Sequence, residues 1–192
     1  MGFQIEDGTG GGYTAGVTSD NQIKGHVVSV SEEHSSNMDK SDAYVWNFET
    51  DPDANNDCIF YIKNTSEEHN LCLEGVSLYL SGACEITGEI RNTGTVSGNA
   101  TAVTGVNLNA GSGKIASATA YYHTDIQADG ATLAAADKAF WVKVAAASCT
   151  SHYNFPCDII LTPNQVFTLW VDTAAIVVVG SLFGYYHTSV HS

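Results

Sequence analysis

The tetrapeptide Tyr-Tyr-His-Thr occurs twice, at residues 121–124 and again at 185–188. Histidines on neighbouring strands can build a metal site: His187 and His191 would share one face of a strand, and His123 would join them only if its strand lay alongside. The same four residues also suit plain sheet packing, with one ring inward and one outward, because aromatic pairs stabilise sheets without a ligand. The flanking residues do not extend the likeness, so the repeat reads as two strands with one packing problem. A second constellation, Asp51, Asp53, Asn55 and Asp57, alternates oxygen ligands as a calcium loop does. An EF-hand loop, however, needs Gly at its sixth position and Glu at its twelfth, where this chain has Asn56 and Ile62. A polar turn between strands accounts for the same residues. A third group, Cys149, His152 and Cys157, has part of a zinc spacing, but no Cys-x-x-Cys pair completes four ligands. A Cys149–Cys157 disulfide and free thiols are the other readings of that segment. Nucleophile motifs are absent: there is no Gly-x-Ser-x-Gly, and before Gly113-Lys114 the first glycine of a phosphate loop is replaced by Leu108. No catalytic residue, metal or cofactor is expected.

The elements that would position these residues are strands. Apolar residues recur with period two, and the alanine-rich stretch 131–140, the one helical candidate, fits strand ends as well. Strands are expected near 25–31, 42–49, 57–64, 71–80, 84–92, 115–126, 139–146, 158–161, 166–172 and 176–187. In the fourth, Leu71 and Leu73 alternate and Val76, Leu78 and Leu80 resume out of step, which places a β-bulge at Glu74-Gly75. Pro163-Asn164 suits the middle of a tight turn. About ten short strands without helices point to an all-β fold, an antiparallel β-sandwich of jelly-roll type, since each sheet must hide its apolar face against another. Residues 1–24 read as an extended, glycine-rich N-terminal arm and 25–192 as a single sandwich domain.

A net charge of −14 with seven Lys and Arg excludes a phosphate-binding surface, so nucleic acid is not an expected partner. The charge is uneven: residues 1–92 carry a net −12 and residues 93–192 a net −2. No apolar stretch is long enough to span a membrane, and the first residues lack the basic and apolar regions of a signal peptide. The five cysteines, one of them in the apolar run around Cys58, read as mostly buried reduced thiols. Residues 93–120 hold one charge, Lys114, and no aromatic residue before Tyr121. They read either as a long exposed connection or as a subunit interface in which Val103, Val106 and Leu108 meet a neighbouring copy. Trp46, Trp141 and Trp170 are candidates for exposed rings.

Asp7-Gly8-Thr9-Gly10, Ala15-Gly16-Val17 and Asn21-Gln22-Ile23 make an acidic glycine turn, a small-residue stretch and an Asn beside a hydrophobic residue, and in these the N-terminal stretch resembles that of many tailed-phage virion proteins. Gln22-Ile23 departs from the Arg-Leu pair common there. Residues 102–122 and 161–187 also look like phage structural proteins with a jelly-roll body. The resemblance implies a non-enzymatic virion component, a capsid-surface decoration or cement protein. It would be assembled in the host cytoplasm, often as a homotrimer, with the major capsid protein or another shell protein as partner. Phe3, Ile5, Tyr13 and Val17 are then the apolar anchors of a capsid-docking arm. A receptor- or glycan-binding jelly roll of a tail or head fibre is the alternative expectation.

Overall fold

The computed structural model describes residues 16–17, 23–24, 32–128, 130–145 and 149–188. The chain divides into two units, Met1–Ser31 and Glu32–Ser192. In the first, β1 (Gly16–Val17) pairs antiparallel with β2 (Ile23–Lys24), Val17 standing opposite Ile23. Phe3, Ile5 and Tyr13, together with the strand expected at 25–31, lie outside the described residues, as does His191.

The second unit opens on a short helical segment, α1 (Glu32–Ser35), which widens into a π-turn over Ser36–Lys40 and ends at Ser41 in the left-handed region, φ 56°. Strands follow: β3 (Ala43–Thr50), β4 (Asp57–Asn64), β5 (His69–Leu80) and β6 (Cys84–Arg91). The short β7 (Gly94–Thr95), β8 (Thr101–Val103), β9 (Val106–Asn107), β10 (Ala118–Tyr122) and β11 (Thr132–Leu133) come next. The chain then makes β12 (Ala136–Val144), β13 (Cys149–Leu161), β14 (Val166–Val171) and β15 (Val178–Thr188).

Two antiparallel sheets pack as a sandwich, a six-stranded one ordered β12-β6-β14-β4-β10-β8 and a five-stranded one ordered β13-β5-β15-β3-β9. Without β7–β11, the pairing is first with last: β3 with β15, β4 with β14, β5 with β13 and β6 with β12. That is one long folded hairpin wrapped so that its strands alternate between the sheets, the connectivity of an eight-stranded jelly roll. Residues 92–135 are an insertion at the hairpin's tip. They add β10 and β8 beside β4, set β9 beside β3, and lay the β7–β11 pair apart from both sheets.

The core fills the space between the sheets with Trp46, Phe60, Leu73, Leu78, Phe167 and Leu182, all fully buried. Each such side chain contributes about 1.5–3 kcal/mol relative to an exposed one. The bulge lies where the sequence places it. Phe183 faces Gly75 and Gly184 faces Leu73, so Glu74 is the extra residue, and both halves of the strand keep their leucines inward. Gly75 is required there, because a Cβ would stand 2.5 Å from the Tyr153 carbonyl oxygen. The turn after β13 is also as expected: Gln165 N–H donates to the Thr162 carbonyl and Asn164 has φ 69°, which is a type II turn with proline at its second position. β13 is longer than the expected 158–161; its first half runs in register with residues 75–80 of β5.

Candidate functional site

The two Tyr-Tyr-His-Thr segments fall in different sheets. β10 lies between β4 and β8 and β15 between β5 and β3, so the strands of His123 and His187 do not adjoin and the two imidazoles do not share a sheet. Each tyrosine pair splits across its strand. Tyr122 and Tyr186 join the core between the sheets, while Tyr121 and Tyr185 enter small clusters on the other faces. Tyr186 meets Tyr44 edge to face, ring centroids 5.8 Å apart, and Tyr185 donates to Asp158 Oδ2 at 2.6 Å. Burial, reinforced by the Asp42 charge, pushes both the Tyr44 and Tyr186 phenols above their ordinary range, so both stay protonated.

The acidic segment 51–57 forms a turn braced by its own chain. Asp57 Oδ2 accepts the Ala54 N–H at 2.7 Å, Asn56 has φ 64°, and Asn55 Oδ1 accepts the Ala174 N–H. Cys58, Cys72 and Cys84 are buried and Cys157 is exposed, and none of the four is in a disulfide. Burial pushes the Cys58 thiol well up, so it is inert as a nucleophile. Cys149, His152 and Cys157 lie along one strand, β13, whose extended run from Cys149 to Asn154 spans ~17 Å. They do not close a loop. Among the described residues no group of three or more His, Cys, Asp and Glu side chains could hold a metal ion.

Trp46 is fully buried, which corrects the expectation of an exposed ring. The chain crosses from β8 in one sheet to β9 in the other through Thr104-Gly105, and a Cβ at Gly105 would stand 2.7 Å from the Trp46 indole nitrogen. Of the residues expected at a subunit interface, Val103 is half-buried against the molecule's own core, while Val106 is 55% and Leu108 44% exposed. Val106 pairs with Val45 at the edge of the five-stranded sheet.

That edge belongs to a charge-poor surface. On the outer face of the five-stranded sheet, a row Ala43–Tyr185–Cys72–Ile160 lies on one side of the bulge with Asp158 bonded to Tyr185, and Glu74 lines a hollow beside His152 and Phe183. Three rows lie on the other side: Glu49–Val179–Tyr79–Thr150, Asn47–Ser181–Ser77–His152, and Val106–Val45–Phe183–Gly75–Asn154. Glu49 is the one carboxylate of these three rows, and none of them holds Lys or Arg. Ser181 donates to Asn47 Oδ1 at 2.7 Å, and His152 meets Phe183 edge on.

The outer face of the six-stranded sheet is different in kind. Its central row is Trp141–Thr87–Trp170, from β12, β6 and β14. Lys143 and Glu85 flank it on one side; Lys138, Glu89 and Thr168 flank it on the other. Trp141 is 56% exposed, and its Nε1 donates to Glu85 Oε2 at 3.2 Å. Lys143 pairs with the other oxygen of Glu85 at 3.1 Å. Trp170 donates to Thr168 Oγ1 at 2.9 Å, with the Arg91 guanidinium 5.3 Å above its ring. Arg91 in turn donates to Glu89 and to the Ala134 carbonyl of the insertion. A cleft of about 220 Å³ opens over the row, lined also by Asn56 and Asp172. Sequence reasoning singles out both indoles but misses Thr87 and the carboxylates between and beside them. The available signal is the polar run Glu85, Thr87, Glu89, Arg91 at alternate positions of β6.

No protein-family model, no curated protein and no solved structure matches this chain.

Proposed function

We propose that the chain is a non-enzymatic virion structural protein, a capsid-surface decoration protein that stabilises a phage head. Its partner is the major capsid protein or another shell protein, and it acts as a homotrimer. The observation that carries this reading is the outer face of the five-stranded sheet: a chain of net charge −14 keeps three full rows of that face down to a single carboxylate. A face of hydroxyls, amides, valines and the rings of Tyr79, His152 and Phe183 costs little to desolvate, whereas the same area covered in carboxylates would repel a second acidic copy. Exposed Val106 and Leu108 extend it at one edge. The glycine-rich segment before residue 25 supplies Phe3, Ile5, Tyr13 and Val17 as anchors that can add along a sheet edge of the shell.

The test has two readouts. Light scattering of the full chain at micromolar concentration should give three times the chain mass. Co-sedimentation with undecorated shells should succeed for the full chain and fail for one lacking residues 2–20, with circular dichroism unchanged between them. A monomer that does not sediment with shells sinks the proposal; a truncated chain that decorates equally well moves the dock from the arm to the sheet face.

A further inference from the structure

The row Trp141–Thr87–Trp170 is built as a ligand platform, and we propose that it binds a neutral saccharide. Adjacent strands are ~4.8 Å apart, so the two tryptophans stand ~10 Å apart at their Cα atoms, with the small Thr87 as floor between them. An indole face packs against the C–H face of a pyranose ring, while the ring's hydroxyls need donors and acceptors at its rim. Thr87, Asn56, Asp172, Glu89 and Lys138 line the cleft and supply both.

Three features separate this row from surface packing. Scattered exposed aromatics are ordinary, but here the exposed Trp141 and the half-buried Trp170, its ring under Arg91, share one cross-strand row around one small residue. Trp141 is exposed yet held: Glu85 accepts a hydrogen bond from its Nε1–H and is itself held by Lys143, so the ring loses little freedom when a ligand lands. The cleft's acids are also balanced. Glu85 is paired with Lys143 and Glu89 with Arg91, while Asp172 accepts the Glu85 N–H at 2.6 Å and the Thr173 hydroxyl at 2.8 Å. Their spare lone pairs accept from sugar hydroxyls, and with Lys138 on the rim three acids stand against three cations, so the cleft offers a charged ligand no net attraction. The class is therefore a neutral glycan.

Glu85 and Glu89 are four residues apart on one strand, ~13 Å along it, and each is held by its own cation, so they do not form the close carboxyl pair of glycoside hydrolysis. The platform lies on the six-stranded sheet and the charge-poor face on the five-stranded one, so a shell and a sugar would occupy opposite sides of the sandwich. The inference stands without the decoration reading.

The experiment titrates the full chain with neutral hexasaccharides of the cello-, malto-, manno-, xylo- and chito- series, followed by tryptophan fluorescence and calorimetry. At least one should bind and perturb the fluorescence. Trp141→Ala should weaken it about tenfold or more, and Thr87→Tyr, which fills the floor, should do the same, both with unchanged melting temperature. The proposal is overturned if no member binds at millimolar sugar, if binding survives both substitutions, or if an oligogalacturonate binds better than every neutral member. Shell binding is read by sedimentation, so loss of one result leaves the other intact.

Discussion

Asp57 shows what a single buried carboxyl does to this fold. It closes the 51–57 turn and begins β4, yet it is 2% exposed. Burial raises its pKa, the Ala54 N–H pulls it back, and the charges of Asp125 and Asp53 raise it further. A carboxyl raised by folding favours the protonated native state. Its contribution is fully present below the ordinary aspartate range and is lost as pH rises through the folded value. Asp57→Asn keeps an acceptor for Ala54 and removes the charge, so the variant should melt above the wild type at neutral pH. That margin should shrink as the pH falls through the raised folded value and be gone below the ordinary aspartate range. A margin that is constant or grows in acid, measured by thermal unfolding across pH, would contradict the assignment. The sequence shows the alternating acids but not which of them the neighbouring strand buries, so turn and calcium loop read alike until β4 is in place.

Elements were more legible than residues. Apolar patterning locates β4, β5, β6, β14 and β15 to within about two residues at each end, by alternation in the last four and by a continuous apolar run in β4, which is buried on both faces. β13 was half missed for a physical reason. Pro156 breaks the strand pattern, and an edge strand tolerates proline where a central strand does not; here residues 155–158 bulge opposite the single Glu74. Cross-strand partners are what the sequence hides. In both sheets a phenyl ring lies over a glycine on the facing strand: Phe48 over Gly180, and Phe140 over Gly88. A Cβ at Gly180 would stand 2.2 Å from the Phe48 ring, which is itself 4% exposed and has no room to retreat. Gly180→Ala should therefore cost about 1–3 kcal/mol in urea unfolding. An alanine variant as stable as the wild type would show that the ring can move.

For the whole molecule, the candidate surfaces were legible only as an inventory. Trp141 and Trp170 can be named from the sequence, but Thr87 comes between them only because β6 is flanked by β12 and β14, a consequence of first-with-last pairing across the chain. The same pairing has a consequence in time. β14 sits between β4 and β6, and β15 sits between β5 and β3, so the central strand of each half of the sandwich is supplied by residues 166–188. A ribosome delivers those strands last. Until they emerge, β3, β4, β5 and β6 have their neighbours missing, and each presents open backbone edges that invite pairing with another nascent chain. The body should consequently complete its fold only once both of these strands have left the ribosome. Stalled chains ending before residue 166 should be degraded by protease at a rate close to that of an unfolded chain, with protection arriving in one step once residue 188 has cleared the exit tunnel. Stepwise protection of the earlier strands would mean that they hold together without their centre. The yield of folded chain would then depend on how quickly residues 166–188 find the slots left open for them.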